Sequence, residues 1–252
     1  MSAPIRLNRF LSSAGIASRR RCDDFIREGR VSVNGTVVTE LGTRVAPSSD
    51  RVTLDGEPVQ ISASERTLIL HKPKNVLVAA RDTRGRITVM DLLGEEAGRV
   101  FPVGRLDYRS EGLLVFTNDG ELAFRLAHPR FKVEKIYRVE VEGSVSPSIV
   151  DALRRGVLLE DGPTQPAQVR VISRAAGNTV LEFGLREGRK RQIRRMLALF
   201  GLPVVRLVRT RFGPLALGDL AEGAWRALLL PEIVRLRQAA GMEPSSGTGG
   251  AA

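Results

Sequence analysis

One cysteine and two histidines among 252 residues leave almost no soft ligand chemistry. Cys22 has no second cysteine to pair with, which excludes an internal disulfide, and with only His71 and His128 beside it no zinc site can be assembled. Arg19, Arg20 and Arg21 precede Cys22 and could lower its thiol pKa, yet a small, semi-buried helix residue is the expected role, not a nucleophile. The two isolated histidines are expected to hydrogen-bond in core or loop positions. Long apolar runs are missing as well: residues 76–80 and 196–200 fall far short of a membrane span. Arg6, Arg9 and Arg19 interrupt any apolar start, so no secretory signal is expected and the cytoplasm is the expected compartment. There is no Walker loop, dinucleotide glycine fingerprint or metal constellation, so neither cofactor nor metal is expected.

Acids are the other scarcity. Against 39 Lys and Arg stand 28 Asp and Glu, a net charge of +11 that calls for a polyanionic partner. Between positions 186 and 211 there are nine basic residues and one acid, Glu187. A solvated charged face mixes signs, so a single-sign block points to phosphate contact. A membrane surface fits less well, because no amphipathic helix with Trp or Phe anchors accompanies the charge. The expected partner is a nucleic acid.

The chain reads as two parts. Residues 1–61 carry a small α+β pattern: a short helix over 5–14 ending at Gly15, a second over 19–28 capped by Ser18 and stopped by Gly29, and hairpins around Asn34-Gly35 and Asp55-Gly56. Residues 62–66 are a polar linker, and 241–252 a Gly- and Ser-rich tail expected to be disordered. Between them, 67–240 alternates strands (67–72, 99–104, 112–117, 135–142, 167–173, 178–185, 203–209) with helices (120–127, 146–155, 189–200, 224–238). That order predicts an α+β domain with a mixed, mainly antiparallel sheet flanked by helices.

Asp107 is the most informative residue. It lies in a Gly- and Ser-punctuated turn between two apolar strand-like runs, where a sheet can present a reactive side chain without burying it. Taken alone, such an Asp is most often a turn or capping residue. The surrounding string changes the reading: Gly104-Arg105-Leu106-Asp107, then Ser110-Glu111-Gly112-Leu113-Leu114, then Thr117-Asn118-Asp119-Gly120. It resembles the active-site signature of pseudouridine synthases of the RsuA/RluB type, which modify ribosomal RNA. Arg9-Phe10-Leu11, the stretch from Gly15 through Arg20, and Val31-Ser32-Val33-Asn34-Gly35 resemble the S4 RNA-binding module.

The resemblance implies an enzyme that isomerises a uridine of rRNA, 23S favoured and 16S second, by flipping the base into a pocket. Its residue roles carry over as expectations. Asp107 is the essential carboxylate, as nucleophile at the sugar or as a proton-abstracting, charge-stabilising group. Tyr137, in Lys135-Ile136-Tyr137, stacks on uracil and assists proton transfer. Arg194, the Arg after Gln192-Ile193, pairs with Asp107 and keeps it ionised. Leu207 and Arg105 line the uracil pocket. Arg9, Arg19, Arg20, Lys190, Arg191 and Arg195 grip RNA backbone. Lys72-Pro73 matches a strand-end feature of the family, although Asn75 replaces the Gly found in many relatives. The expected partner is ribosomal RNA or a ribosomal subunit precursor, and a monomer is expected. Two rivals remain: a non-catalytic S4-domain ribosome assembly factor, and a nucleoside glycosidase using Glu111 or Asp119 to activate water.

Overall fold

The computed structural model describes residues 4–61, 65–97, 100–175 and 177–242. Positions 62–64 of the expected linker and the expected tail from 243 onward lie outside the described residues. The chain divides into two units: Met1–Arg66 with two short pieces, and a larger one comprising Thr67–Ala97, Phe101–Thr117 and Glu121–Ala252.

In the smaller unit, helices Leu7–Ser13 and Arg19–Arg27 accompany a four-stranded antiparallel sheet in the order Thr36–Val37, Val31–Val33, Val52–Leu54, Glu57–Val59. The Ser18 side chain accepts a hydrogen bond from the Arg21 N–H and starts the second helix. Both hairpins turn through paired left-handed residues, Asn34-Gly35 and Asp55-Gly56, the geometry that matches strand twist. The first helix begins two residues later than expected, because Ile5–Arg6 pairs as a strand with Arg44–Val45. Leu7, Phe10, Leu11, Cys22, Ile26 and Val31 form the core. Burial pushes the Cys22 thiol up to about 11, which leaves it inert rather than activated by its arginine neighbours.

The larger unit is built on a nine-stranded sheet. Its main path runs Gln168–Ala175, Asn178–Leu185, Lys135–Glu142, Val204–Phe212, Glu111–Thr117, Thr67–Lys72, Trp225–Ala227, with Phe101–Pro102 and Leu215–Ala216 added at the side. One pairing is parallel, Val204–Phe212 against Glu111–Thr117, and the others are antiparallel, so the sheet is mixed and mainly antiparallel as expected. At that central seam Arg209 faces Gly112 so closely that a Cβ on Gly112 would overlap the Arg209 carbonyl and lie 2.6 Å from its nitrogen. Gly112 also has φ +105°, so glycine is required twice over.

Two cores flank the sheet. Helices Pro147–Arg155 and Gln192–Ala198 contribute Val150, Leu153, Ile193, Met196 and Leu197 to one, and helices Gly120–Ala127 and Leu230–Ala239 contribute Leu122, Leu126 and Leu236 to the other. Three expectations need correction. Position 99 of the strand expected over 99–104 lies outside the described residues, and from 100 onward the strand is Phe101–Pro102, because proline lacks the N–H to extend the ladder and Gly104 turns at φ +71°. The helix expected from 189 begins at Gln192, because Arg191 adopts a left-handed φ of +53°. The helix expected over 224–238 is an edge strand, Trp225–Ala227, followed by a helix starting at Leu230, with Leu229 extended and proline in its first turn.

Candidate active site

Asp107 precedes a tight turn, Tyr108-Arg109, that feeds the Glu111–Thr117 strand at the parallel seam. The Ser110 N–H donates back to the Asp107 carbonyl at 3.0 Å. Two cations hold the rest of the turn by its carbonyls. Lys72 is fully buried, and its Nζ donates to the carbonyls of Ser110 (2.8 Å), Pro73 (2.8 Å) and, longer, Tyr108 (3.4 Å). Arg194 donates to the carbonyl of Arg109 and to that of Val204, both at 3.1 Å. The Asn75 N–H adds a bond to the Tyr108 carbonyl at 2.8 Å. Carbonyls 108, 109 and 110 are therefore all claimed from outside the turn, and the backbone that carries Asp107 is fixed.

Burial pushes the Lys72 ammonium down to about 8, against the opposing pull of Glu111, Asp107 and Glu222. Burial also lowers Arg194, helped by the nearby Arg191, while Asp107 works to keep it charged. The expected contact ion pair between Arg194 and Asp107 is not made: the guanidinium donors go to backbone carbonyls, and the two charges couple only through space. Asn75, the departure from glycine, keeps the conformation that glycine would supply, with φ +59°.

Asp107 lines a cleft of about 290 Å³ together with Arg105, Tyr137, Leu185 and Leu207, walled by the loop from Glu187 to Gln192. Tyr137 and Val139 share one strand face, and Val139 sits directly opposite Leu207, which places Tyr137 and Leu207 on the same side of the sheet. A register shift between Ile136 and Tyr137 re-aims the strand at the tyrosine. The loop wall is locked from within. The buried Glu187 carboxylate accepts from the Gln192 side chain (2.7 Å) and the Gln165 N–H (3.0 Å), and pairs with Arg189 at 3.3 Å. Arg189 in turn donates to the carbonyls of Gly162 and Pro163. Arg194 borders this arrangement through Arg109 rather than lining the cleft.

A second buried carboxylate, Glu111, is 2% exposed and is held by Arg206 (2.8 Å) and Lys74 (3.3 Å). Burial raises its pKa, and the two cations more than offset that, leaving it below the usual carboxylate range. Neither Glu111 nor Asp119, the acids a glycosidase would use to activate water, lines the cleft, and the one further carboxylate there, Glu187, is engaged by Gln165, Gln192 and Arg189.

A family model described as RNA pseudouridylate synthase matches residues 66–199, and one described as S4 domain matches residues 5–52. The chain belongs to the RNA pseudouridine synthase family. Over 240 residues it is 46% identical to an uncharacterized RNA pseudouridine synthase of Aquifex aeolicus (strain VF5), covering 95% of this chain and 96% of that relative. Over 235 residues it is 39% identical to ribosomal large subunit pseudouridine synthase B of Bacillus subtilis (strain 168), covering 92% and 95% respectively. A crystal structure described as a pseudouridylate synthase superposes with a TM-score of 0.68 at 28% identity, over 92% of this chain and 99% of the other.

Within this family member the basic stretch 186–211 is less free than its charge suggests. Arg186 pairs with Glu134, Arg189 with Glu187, Arg195 with both oxygens of Asp161, and Arg206 with Glu111. Arg209 is buried and donates to the Leu113 carbonyl at 2.7 Å. Lys190, Arg191 and Arg211 are exposed and carry no ion pair among the described residues. Arg195, expected on RNA, is thus committed to Asp161, whereas Lys190 and Arg191 stand at the cleft wall with their charges available. In the smaller unit Arg9, Arg19 and Arg20 likewise have no carboxylate partner among the described residues, Arg19 making only a long bond to Asn8.

The positioning roles of Lys72, Glu187 and Gln192 were not legible in the sequence, which marked Lys72 only as a strand-end residue and Glu187 only as the one acid of a basic block. Of these, Lys72 left a local signal, a lysine closing the strand that carries the apolar run Leu68–Leu70.

Proposed function

We propose that this chain converts one uridine of ribosomal RNA to pseudouridine, with 23S rRNA favoured over 16S rRNA, Asp107 as the essential carboxylate, and no cofactor. The name of the Bacillus subtilis relative, a large-subunit synthase, supports the choice of RNA. One observation carries the chemistry: Asp107, Tyr137 and Leu207 line a single cleft, and the turn bearing the carboxylate is clamped by the buried Lys72 and the half-buried Arg194. An assembly factor needing only affinity gives no reason for that arrangement.

The cleft volume, about 290 Å³, lies at the small end of ligand pockets. It suits one nucleoside and excludes a base pair, so the target base leaves its stack to enter. Leu207 and Tyr137 then provide an apolar wall and a ring face for uracil. The Asp107 carboxylate acts at the ribose, where the N1–C1′ bond breaks and the charge left on the sugar needs an anion. The freed uracil turns, C5 bonds to C1′, C5 loses its proton and N1 gains one. Substrate and product are isomers, so the balance requires no oxidant, reductant or energy source. Lys190, Arg191 and the arginines of the S4 module hold phosphates.

The reading is tested by mapping pseudouridines in rRNA from cells with and without this gene, and by incubating the purified chain with unmodified 23S and 16S transcripts. Loss of one 23S pseudouridine in the deleted strain, restored at the same position in vitro, is the expected result. Unchanged rRNA maps would refute it.

A further inference from the structure

Helix Gly120–Ala127 buries Leu122 and Leu126 in the core and turns Phe124 outward, 44% exposed. Directly after it come His128 and the short 3-10 helix Pro129–Phe131, which brings Arg130 and Phe131 back onto the same patch. The rings of Phe124 and His128 are 5.2 Å apart, and those of Phe124 and Phe131 meet edge to face at 5.9 Å. The Arg130 guanidinium lies over both phenyl rings, 4.4 Å from the centre of Phe131 and 5.1 Å from that of Phe124. Arg125 also lies over Phe131, at 5.2 Å, tethered to Glu121 and the Gly241 carbonyl. The Arg130 backbone N–H donates to His128 Nδ1 at 3.2 Å, which fixes the imidazole within the group.

The patch joins exposed aromatic surface to free positive charge, whereas Lys190, Arg191 and Arg211 offer charge alone. Arg186, Arg189, Arg195 and Arg206 are neutralised by carboxylates, yet Arg130 and the neighbouring Lys132 have no carboxylate partner among the described residues. The exposed rings of Phe124 and His128, backed by the half-buried Phe131 and beside a guanidinium whose charge is unspent, match one kind of ligand: an unpaired nucleobase with its phosphate attached. The base stacks on the rings while the phosphate meets Arg130 and Lys132. A duplex buries its base faces and cannot use the patch in this way. Phe131 precedes Tyr137 of the cleft by six residues, so their Cα atoms lie within about 20 Å, a span that a few unstacked nucleotides cover.

We propose that Phe124, His128, Arg130 and Phe131 form a second nucleobase-stacking site, which holds a single-stranded stretch of the RNA flanking the target uridine. This rests on the reading of the chain as an RNA-modifying enzyme. The probe is a fluorescein-labelled oligouridylate of about 12 nucleotides, compared with a matched RNA duplex and a strand of the same length lacking bases.

Against the full chain, Phe124→Ala should weaken oligouridylate binding on the order of ten-fold, leave the abasic strand unaffected, and be rescued by Phe124→Trp. Arg130→Ala should weaken both strands and lower the salt slope by about one. A strand carrying 5-iodouridine should photocrosslink to the segment from Phe124 to Phe131. Thermal melts confirm that each variant is folded, and Phe124→Trp and Arg130→Ala serve if the alanine at 124 is not. If folded variants bind every probe like the wild type at several salt concentrations, the site is refuted and the patch belongs to a protein contact. Pseudouridine formation by the wild type, measured alongside, separates the two claims. Turnover with unaffected oligonucleotide binding rejects only the stacking site, and stacking without turnover rejects only the enzymatic reading.

Discussion

Replacing Lys72 by Met removes the donor shared by the carbonyls of Pro73, Tyr108 and Ser110 while filling the same buried space. The two bonds at 2.8 Å are the strong ones, and leaving each carbonyl unsatisfied costs about 1–3 kcal/mol. An opposing effect is already present in the wild type. Burial pushes Lys72 from 10.5 to about 8, which makes the charged form cost about 3 kcal/mol relative to the neutral one in the folded state. Met does not carry that cost, so the net loss of stability should be near 1 kcal/mol, with about 3 kcal/mol as a ceiling.

Turnover should fall much further. A catalytic group displaced by about 1 Å loses on the order of 100-fold in rate, and the turn bearing Asp107 would keep only the Arg194 and Asn75 contacts. The pH dependence adds a signature. A lysine whose folded pKa is lowered destabilises the fold fully below about pH 8, and this penalty fades as pH rises toward the unfolded value. Its contribution to stability therefore improves with pH, while turnover should drop above about pH 8, because a neutral amine has two N–H groups for three carbonyls. Urea unfolding and single-turnover kinetics across pH 6–10 give both readouts (a range of about two units either side of that pKa). A folded Lys72→Met variant with wild-type turnover, or one that keeps the alkaline decline, would refute the clamp.

Other variants separate the cations by role. Lys190→Ala and Arg191→Ala should weaken RNA binding and flatten its salt dependence by about one unit of slope per lost contact, whereas Arg195→Ala, which loses Asp161, should leave the slope unchanged. Arg194→Ala should reduce single-turnover rate severely and lower stability by about 1–3 kcal/mol, since it strips donors from the Arg109 and Val204 carbonyls. A reduced salt slope with normal turnover would show Arg194 to be a phosphate contact instead. Gly112→Ala should cost more than about 4 kcal/mol or prevent folding, because its Cβ overlaps the Arg209 backbone at the parallel seam. A melting temperature within a few degrees of wild type would mean the seam can open.

What the sequence made legible was local. Asn34-Gly35 and Asp55-Gly56 announce their hairpins, and Ser146-Pro147 announces a helix start, because each signal lies within the turn or cap it specifies. Strands with strong apolar patterning, such as Thr67–Lys72 and Asn178–Leu185, were readable for the same reason. Contacts across long separations were not. Lys72 meets Ser110 and Arg194 meets Arg109 only after the sheet has formed, and Arg195 finds Asp161 through the same folding. Those partners decide that Arg194 holds backbone rather than the Asp107 carboxylate, and that most of the charge in 186–211 is spent inside the protein. The edge strand Trp225–Ala227 was missed because its pairing with Leu68, Ile69 and Leu70 has no local counterpart.

The role of Asp107 is decided by single-turnover conversion of uridine to pseudouridine in unmodified 23S rRNA. Wild-type protein without any added cofactor should convert one uridine, read by mass spectrometry. Asp107→Asn, nearly isosteric and on the same clamped turn, should bind the RNA with comparable affinity and give no product. Measurable pseudouridine from the folded Asn variant would show that the Asp107 carboxylate is not essential.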